Sequence, residues 1–258
     1  ADIYGGGACE RVFGEMIKDA GVRRENLILQ SKCAIVPGKM YDFSKEHILS
    51  AVDGSLKRLG TDYLDVLLLH RPDALMEPEE VAEAFDELEK SGKVRHFGVS
   101  NEDPYTMELL QSALHQPICA NQLQMSLTNA TMIAQPMNTN ICDGLNPVLD
   151  NGVLNYCRLH NITIQTWSPF QYGFFEGVFI GSEKYPKLNA KLDELAEKYN
   201  VTNTAIALAW ILRHPAKMQA VTGTINPKRL RDCAAALDIT LAREDWYALY
   251  LAAGYRLP

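Results

Sequence analysis

The stretch YLDVLLLH, residues 63–70, is a nearly continuous apolar run that ends in a histidine. An alternating pattern would indicate a strand with one solvent-facing side, whereas a continuous run is typical of a strand buried on both faces of a parallel sheet. Similar short, β-rich runs recur along the chain at 27–33, 94–101, 118–124, 162–168 and 219–224. The sequence therefore predicts six parallel strands.

Helical patterns separate these strands. Their end signals are an N-cap at Ser44 with a C-cap at Gly60, a stop at Gly92, and the pairs Asp103–Pro104 and Asn226–Pro227 at helix starts. Strands that alternate with helices indicate βαβ units. Because no linker rich in Gly, Pro or Ser interrupts the alternation, we expect one domain over residues 1–258. The polar stretch 128–146 is interpreted as an insertion in a loop that follows a strand.

Both an open doubly wound sheet and a (β/α)8 TIM barrel fit this alternation, and the ends of the strands distinguish them. A doubly wound nucleotide-binding sheet would carry G-x-G-x-x-G after an early strand, and the sequence has none. In a barrel, the site is built from the carboxyl ends of many strands. Reactive or hydrogen-bonding residues end nearly every predicted strand, namely Lys32, His70, Ser100 with Asn101, Gln122, Trp167 with Ser168, and Thr224. The α/β barrel is favoured, because six coincidences at the same end are less probable than one shared site.

Composition excludes several classes of protein. The chain has 258 residues, a net charge of −7 and no block of Lys or Arg, so we expect neither a nucleic acid nor an anionic membrane surface as a partner. Its apolar runs are too short to span a bilayer. The six cysteines form no CxxC pair and the histidines no HExxH motif. The sequence therefore predicts reduced thiols, a cytoplasmic location and no metal site.

Taken together and in order, these motifs resemble those of the aldo-keto reductase family. That family carries a D-x-A-x-x-Y-G pattern on its second strand, a lysine at the end of the third and a histidine at the end of the fourth. The matching segments are Ala1 with Tyr4-Gly5, SK at 31–32, LLLH at 67–70, GVSN at 98–101, NQ at 121–122, WSP at 167–169 and TGTINPKRL at 222–230. The resemblance covers essentially the whole chain and implies the family's barrel fold.

The resemblance implies that a hydride moves from NADPH to the carbonyl carbon of a small aldehyde or ketone. The carbonyl oxygen then needs a proton, which Tyr4 would donate. Because the ordinary pKa of tyrosine is ~10, a cationic Lys32 beside it would lower that pKa and ease the proton transfer. A neutral His70 would orient and polarise the carbonyl group. This chemistry needs no metal.

The resemblance also assigns cofactor residues. These are Ser100, Asn101 and Gln122 for the nicotinamide carboxamide, Trp167 as the ring that stacks on the nicotinamide, and Ser168 and Phe170 at the start of the segment along the pyrophosphate. The loop at 170–186, rich in glycine and aromatic residues, resembles the family segment that folds over the cofactor.

The motif TGTINPKRL bears on the choice between NADPH and NADH. Thr224 and Asn226 precede a helix whose free N–H groups would attract phosphate, and Arg229 matches the family arginine that contacts the 2′-phosphate. We therefore expect NADPH to be preferred. Gly223, however, stands where many family members have lysine. This departure is expected to weaken binding of the 2′-phosphate and leaves use of NADH open.

The start of the chain falls inside the family pattern. The family aspartate lies five residues before the tyrosine, which is one position before Ala1, so Asp2 is not its equivalent. The six predicted strands match the family's third to eighth strands. We therefore expect the first strand and most of the second to precede Ala1, so that the barrel is incomplete at its N-terminus.

Two functions remain open on the sequence. The first is an NADPH-dependent carbonyl reductase, and the second is a cofactor-binding regulatory or interaction subunit of the same fold with little turnover. For either function, we expect a monomer or a weak homo-oligomer.

Overall fold

The computed structural model describes residues 1–137 and 151–257, which form two compact units, Ala1–Asn121 and Gln122–Pro258. In the first unit, parallel strands are hydrogen-bonded in the order β1, β4, β5, β6. Strand β6 continues into the second unit, where the order is β6, β7, β10. These strands are β1 (Gln30–Cys33), β4 (Leu64–Leu69), β5 (Val94–Ser100), β6 (Ile118–Gln124), β7 (Thr163–Trp167) and β10 (Gln219–Ala220). All six predicted strands are therefore confirmed.

Two short antiparallel hairpins were not predicted. The strands β2 (Ile35–Val36) and β3 (Met40–Tyr41) form one, and β8 (Gln171–Tyr172) and β9 (Gly177–Val178) form the other. Each strand has only two residues, which is too short for a periodic pattern to be read from the sequence.

The helices confirm the predicted end signals. Ser44 Oγ accepts a hydrogen bond from His47 N, Asp103 Oδ1 accepts one from Tyr105 N, and Gly60 ends its helix at φ 66°. The helices of the first unit are α1 (Ala8–Asp19), α2 (Lys45–Leu59), α3 (Pro78–Lys90) and α4 (Pro104–Ala113). Those of the second unit are α5 (Thr131–Met137), α6 (Val153–Leu159), α7 (Pro186–Tyr199), α8 (Asn203–Leu212), α9 (Pro227–Ala234) and α10 (Arg243–Ala252). None of the helices in the described residues is long and apolar enough to cross a membrane.

Part of the polar stretch 128–146, interpreted above as an insertion in a loop, is helical. Residues 131–137 form helix α5, and Met132 and Ile133 are buried on it. The sequence did not predict this short amphipathic helix, because two buried side chains among polar residues give too weak a helical periodicity to be recognised. Residues 138–146 lie outside the described part of the chain.

Each unit has its own apolar core. In the first, Phe85 of α3 stacks on Phe97 of β5 with a centroid distance of 4.0 Å. Gly98 follows Phe97 where strands β5 and β6 pass closely, since a Cβ there would lie 2.6 Å from Ala120 O. In the second unit, Trp210 and Trp246 stack at 4.9 Å, and each indole N–H donates to the other residue's carbonyl oxygen. The buried indoles are thus both packed and hydrogen-bonded, as buried tryptophans require.

Candidate active site

Tyr4, Lys32 and His70 come together in the first unit. Tyr4 Oη lies 3.3 Å from His70 Nε2, and Lys32 Nζ donates to the same oxygen at 3.4 Å. Lys32 is on β1 and His70 follows the end of β4, which pairs with β1 so that Lys32 lies opposite Leu68. Adjacent parallel strands end at the same edge of the sheet, and this places the two side chains side by side.

Three glycines form the turn that follows Tyr4. Gly5, Gly6 and Gly7 have φ values of 57°, 58° and 84°, a left-handed region that residues with a Cβ rarely adopt. At Gly7 a Cβ would lie 2.6 Å from Arg58 Cδ. The tyrosine ring, 45% exposed, therefore precedes a tight turn that leads directly into helix α1.

Burial sets the charge of the two basic residues in this cluster. It lowers the pKa of His70 to about 3, and the cationic Lys32 and Arg71 add to the shift. Burial also lowers the pKa of Lys32 to about 8, again with a contribution from Arg71. Near neutral pH, His70 is therefore an uncharged imidazole and Lys32 is still mostly an ammonium group.

The pKa of Tyr4 shifts in the direction opposite to the one expected. Burial raises it above the ordinary value, and the charge of Arg71 offsets only part of that rise. The prediction of a lowered tyrosine pKa is therefore wrong, because the loss of solvent outweighs the neighbouring cations. The phenol stays protonated throughout the neutral range, so its oxygen carries a proton to give.

Ser100 and Asn101 lie close to this cluster. Asn101 Nδ2 donates to Ser100 Oγ at 2.8 Å and to the carbonyl oxygen of His70 at 3.5 Å. Ser100 is buried, and Asn101 has φ 63°, a left-handed conformation that asparagine tolerates better than most residues. The residue that follows β5 is thus hydrogen-bonded to the residue that follows β4.

The remaining predicted cofactor residues lie in the second unit. Gln122 Nε2 donates to Gln165 Oε1 at 3.0 Å, and Gln165 Nε2 donates to Gln219 Oε1 at 3.1 Å. These three amides form one hydrogen-bonded row across β6, β7 and β10. Gln165 and Gln219 were not singled out from the sequence, although each lies on a predicted strand.

Trp167 lies against the hairpin segment that follows it. Its ring stacks on Phe175 at 5.7 Å and meets the edge of Phe174 at 6.4 Å, although both phenylalanines are more than half exposed. Ser168, at φ 53°, begins the turn, and the carbonyl oxygen of Phe170 accepts from Phe179 N at 3.0 Å. The segment 170–186 is therefore partly ordered by aromatic contacts and by the β8–β9 hairpin.

At the start of α9, the free N–H groups expected to attract phosphate already have partners. Asn226 Oδ1 accepts from Lys228 N and Arg229 N, and Thr224 Oγ1 accepts from Asn226 N. The expectation that these amides bind phosphate directly therefore needs correction. The Arg229 side chain, in contrast, is exposed and makes no hydrogen bond or ion pair with a described residue. A phosphate group would be held by side-chain charge at this position.

Sequence reasoning missed two charged residues beside the site. Arg71 influences the pKa of Tyr4, Lys32 and His70, and its position directly after His70 was the only available signal. Glu102, directly after Asn101, is 2% exposed, and neither of its carboxylate oxygens has a hydrogen-bond partner among the residues that the structure describes. Burial, with the charge of Asp103, raises the pKa of Glu102 to about 8.

Glu102 is expected to make stability depend on pH. Its folded-state pKa exceeds the ordinary value of 4.5, so the folded chain binds more protons than the unfolded chain between those values. Stability should therefore fall as pH rises through this window, by roughly 2 kcal/mol between about pH 6 and pH 8. In urea unfolding, Glu102→Gln should not lose stability between about pH 6 and pH 8. The control Glu15→Gln, at an exposed position on α1, should lose stability over this range as the wild type does. Parallel pH profiles for the wild type and Glu102→Gln would contradict the assignment.

The fold and this site together define an α/β oxidoreductase with a Tyr–Lys–His cluster, in which the lysine and the histidine lie at the ends of neighbouring strands. The chain belongs to the aldo/keto reductase family, whose model matches residues 1–250. It is 37% identical over 263 residues to 6-dehydroglucose reductase of Agrobacterium fabrum strain C58, covering 98% of this chain and 81% of that protein.

Solved structures agree with this assignment. The thermostable aldo-keto reductase Tm1743, solved with the inhibitor epalrestat, matches with a TM-score of 0.76 and 29% identity over 97% of this chain and 80% of its own. An aldo-keto reductase from Klebsiella pneumoniae in complex with NADPH matches with a TM-score of 0.74 and 27% identity, over 96% and 76% of the two chains. The predicted family and its α/β TIM-barrel fold class are therefore confirmed.

Proposed function

We propose that this chain reduces aldehydes and ketones with NADPH, and that Tyr4 is the proton donor. The observation that carries the proposal is the contact of one phenol oxygen with both Lys32 Nζ and His70 Nε2. The similarity to an aldo-keto reductase in complex with NADPH supports the choice of cofactor. The exposed guanidinium of Arg229 and the half-buried ring of Trp167 suit its phosphate and its nicotinamide, respectively.

When bound, NADPH would supply the hydride that reaches the carbonyl carbon. The carbonyl oxygen gains negative charge in the transition state, and the Tyr4 O–H bond breaks as its proton moves to that oxygen, giving the alcohol. The tyrosinate that remains is stabilised by the Lys32 ammonium group. Neutral His70 can donate a hydrogen bond to the carbonyl oxygen without being an acid that would compete with Tyr4 in protonating it.

The test is oxidation of NADPH by the purified chain with a panel of aldehydes and ketones. Steady oxidation that requires a carbonyl compound supports a reductase. Tight NADPH binding without turnover of any carbonyl would contradict the proposal and favour the regulatory subunit. We also propose that residues 1–258 are one domain. We expect this domain to be a monomer or a weak homo-oligomer, and sedimentation measures that oligomeric state.

A cytoplasmic location is part of the same proposal. The cysteines in the described part of the chain are free thiols, namely Cys9, Cys33, Cys119, Cys157 and Cys233. Unpaired cysteines are typical of a reducing compartment. Cell fractionation tests this, and recovery in a secreted fraction would contradict it.

The cofactor preference can be strengthened at Gly223. A Cβ at this position would meet nothing within 4 Å, so a longer side chain fits without displacing its neighbours. Gly223→Lys adds a cation six residues before Arg229 and should lower the Kd for NADPH by roughly fivefold, while the Kd for NADH stays the same. Fluorescence titration with both cofactors measures the change, and Gly223→Ala controls for the loss of glycine. Equal tightening for NADH would contradict a role for the 2′-phosphate.

A further inference from the structure

A cavity of about 410 Å³ lies in the second unit, among α5, α6, α10 and the turn after α8. Its volume falls in the range of small-molecule sites. None of its lining residues belongs to the predicted catalytic or cofactor sets. We propose that this cavity binds a small organic anion with an apolar ring system, such as an aromatic carboxylate.

The buried part of the lining is apolar. Ile133, Leu154 and Trp246 are each less than a tenth exposed, and the partly exposed ring of Tyr247 lies beside them. Trp246 is fixed by its stacking on Trp210 and by the two indole hydrogen bonds. A rigid aromatic wall of this kind favours a flat apolar body, because such a ligand gains burial without ordering the protein.

The more exposed part of the lining is cationic. Arg158, Arg213 and Arg243 all border the cavity, and none of them forms an ion pair with a described residue. Arg213 Nε donates to Leu241 O, which orients that guanidinium. Three arginines that form no ion pair within the described part of the chain give this lining a positive charge, opposite in sign to the net charge of −7. Guanidinium groups bind carboxylates with two parallel hydrogen bonds, so the expected ligand is an anion.

His214 adds a neutral donor to the lining. Its Nδ1 accepts a hydrogen bond from Ala216 N at 3.1 Å, so in the uncharged ring the proton is on Nε2. Burial and the charge of Arg158 lower the pKa of His214 to about 4, which keeps the ring uncharged near neutrality. The cavity thus combines an apolar wall, three cations and one N–H donor. That combination matches an aromatic carboxylate better than a neutral or cationic molecule.

The experiment is calorimetric titration of the full chain with naphthoate and with its neutral analogue naphthalenemethanol. We expect naphthoate to bind more tightly than the alcohol and more weakly as salt is raised. The double variant Arg158→Gln/Arg243→Gln should raise the Kd for naphthoate by about tenfold, the loss of one charge-assisted contact. The Kd for the alcohol should not change.

The matched control is Arg11→Gln/Lys18→Gln, which removes two positive charges from exposed positions on α1. It gives the same net charge as the cavity variant and should bind naphthoate as the wild type does. Equal weakening in both double variants would overturn the proposal, because the effect would then come from net charge alone. Failure of naphthoate to bind, or equal affinity for the alcohol, would overturn it as well.

Discussion

Replacing Tyr4 with phenylalanine is expected to lower kcat for carbonyl reduction by roughly 10²–10⁴-fold, the usual contribution of a positioned general acid. The substitution removes only the hydroxyl group, and with it the contacts to Lys32 Nζ and His70 Nε2. The ring is 45% exposed and does not support the core, so the fold should persist. Steady-state kinetics with NADPH and the best aldehyde of the panel measure the loss.

The control for this prediction is Tyr105→Phe. Tyr105 is 75% exposed on α4, and losing its hydroxyl group should leave kcat unchanged. NADPH affinity should also be the same in Tyr4→Phe as in the wild type, because the effect lies in the proton transfer. Full activity of Tyr4→Phe would rule out Tyr4 as the donor, and loss of NADPH binding would show that the substitution acts through the cofactor site.

Replacing Arg58 with methionine is expected to lower the free energy of unfolding by about 3 kcal/mol, the lower end of the cost of breaking a buried ion pair. Glu10 is 4% exposed, and its carboxylate accepts from Arg58 Nε at 2.7 Å and from Ser31 Oγ at 2.5 Å. Burial alone would raise the pKa of Glu10, but these hydrogen bonds lower it overall. Without Arg58 the carboxylate would lose the cation that it contacts at 2.7 Å, so urea unfolding should show a lower midpoint.

The double variant Glu10→Met/Arg58→Met distinguishes the effect of the ion-pair charges from the effect of side-chain packing. Removing both charges should lower the free energy of unfolding less than removing Arg58 alone does, because no unpaired buried charge is left. The matched control is Arg11→Met, at the exposed position directly after Glu10 on α1, and it should change the free energy of unfolding little. If the double variant were less stable than Arg58→Met, packing of the side chains and not their charge would explain the loss.

This ion pair also supports the site. Glu10 lies on α1, which begins directly after the glycine turn of Tyr4, and Ser31 precedes Lys32 on β1. The hydrogen bonds of Glu10 therefore connect α1, β1 and α2 just behind two of the three clustered residues. Arg58→Met should for this reason lower activity as well as stability.

Much of this architecture could be predicted from local sequence. The continuous apolar runs located six strands, and Ser44, Gly60, Asp103 and Asn226 located helix ends, because strand burial and capping depend on neighbouring residues. The short hairpins and helix α5 were missed because two-residue strands and two buried side chains carry almost no periodicity.

The residues of the candidate site could be predicted from the sequence, but their pKa values could not. Lys32 and His70 end neighbouring strands, so their proximity followed from the order of parallel strands. The raised pKa of Tyr4 and the near-neutral pKa of Lys32 did not follow, since both depend on how much solvent the fold removes. Glu102 was missed for the same reason, because nothing in the sequence distinguishes a buried glutamate from an exposed one.

The sequence by itself determined the strands and the helix ends, since these depend on residue type and on spacing along the chain, and its resemblance to the aldo-keto reductase family identified the Tyr–Lys–His cluster. Only the tertiary structure decided the buried Glu10–Arg58 pair, the protonation of the clustered residues and the arginine-lined cavity. The physical reason is that solvation and charge pairing act between residues that are distant in sequence, and their strength is set by burial that only packing creates.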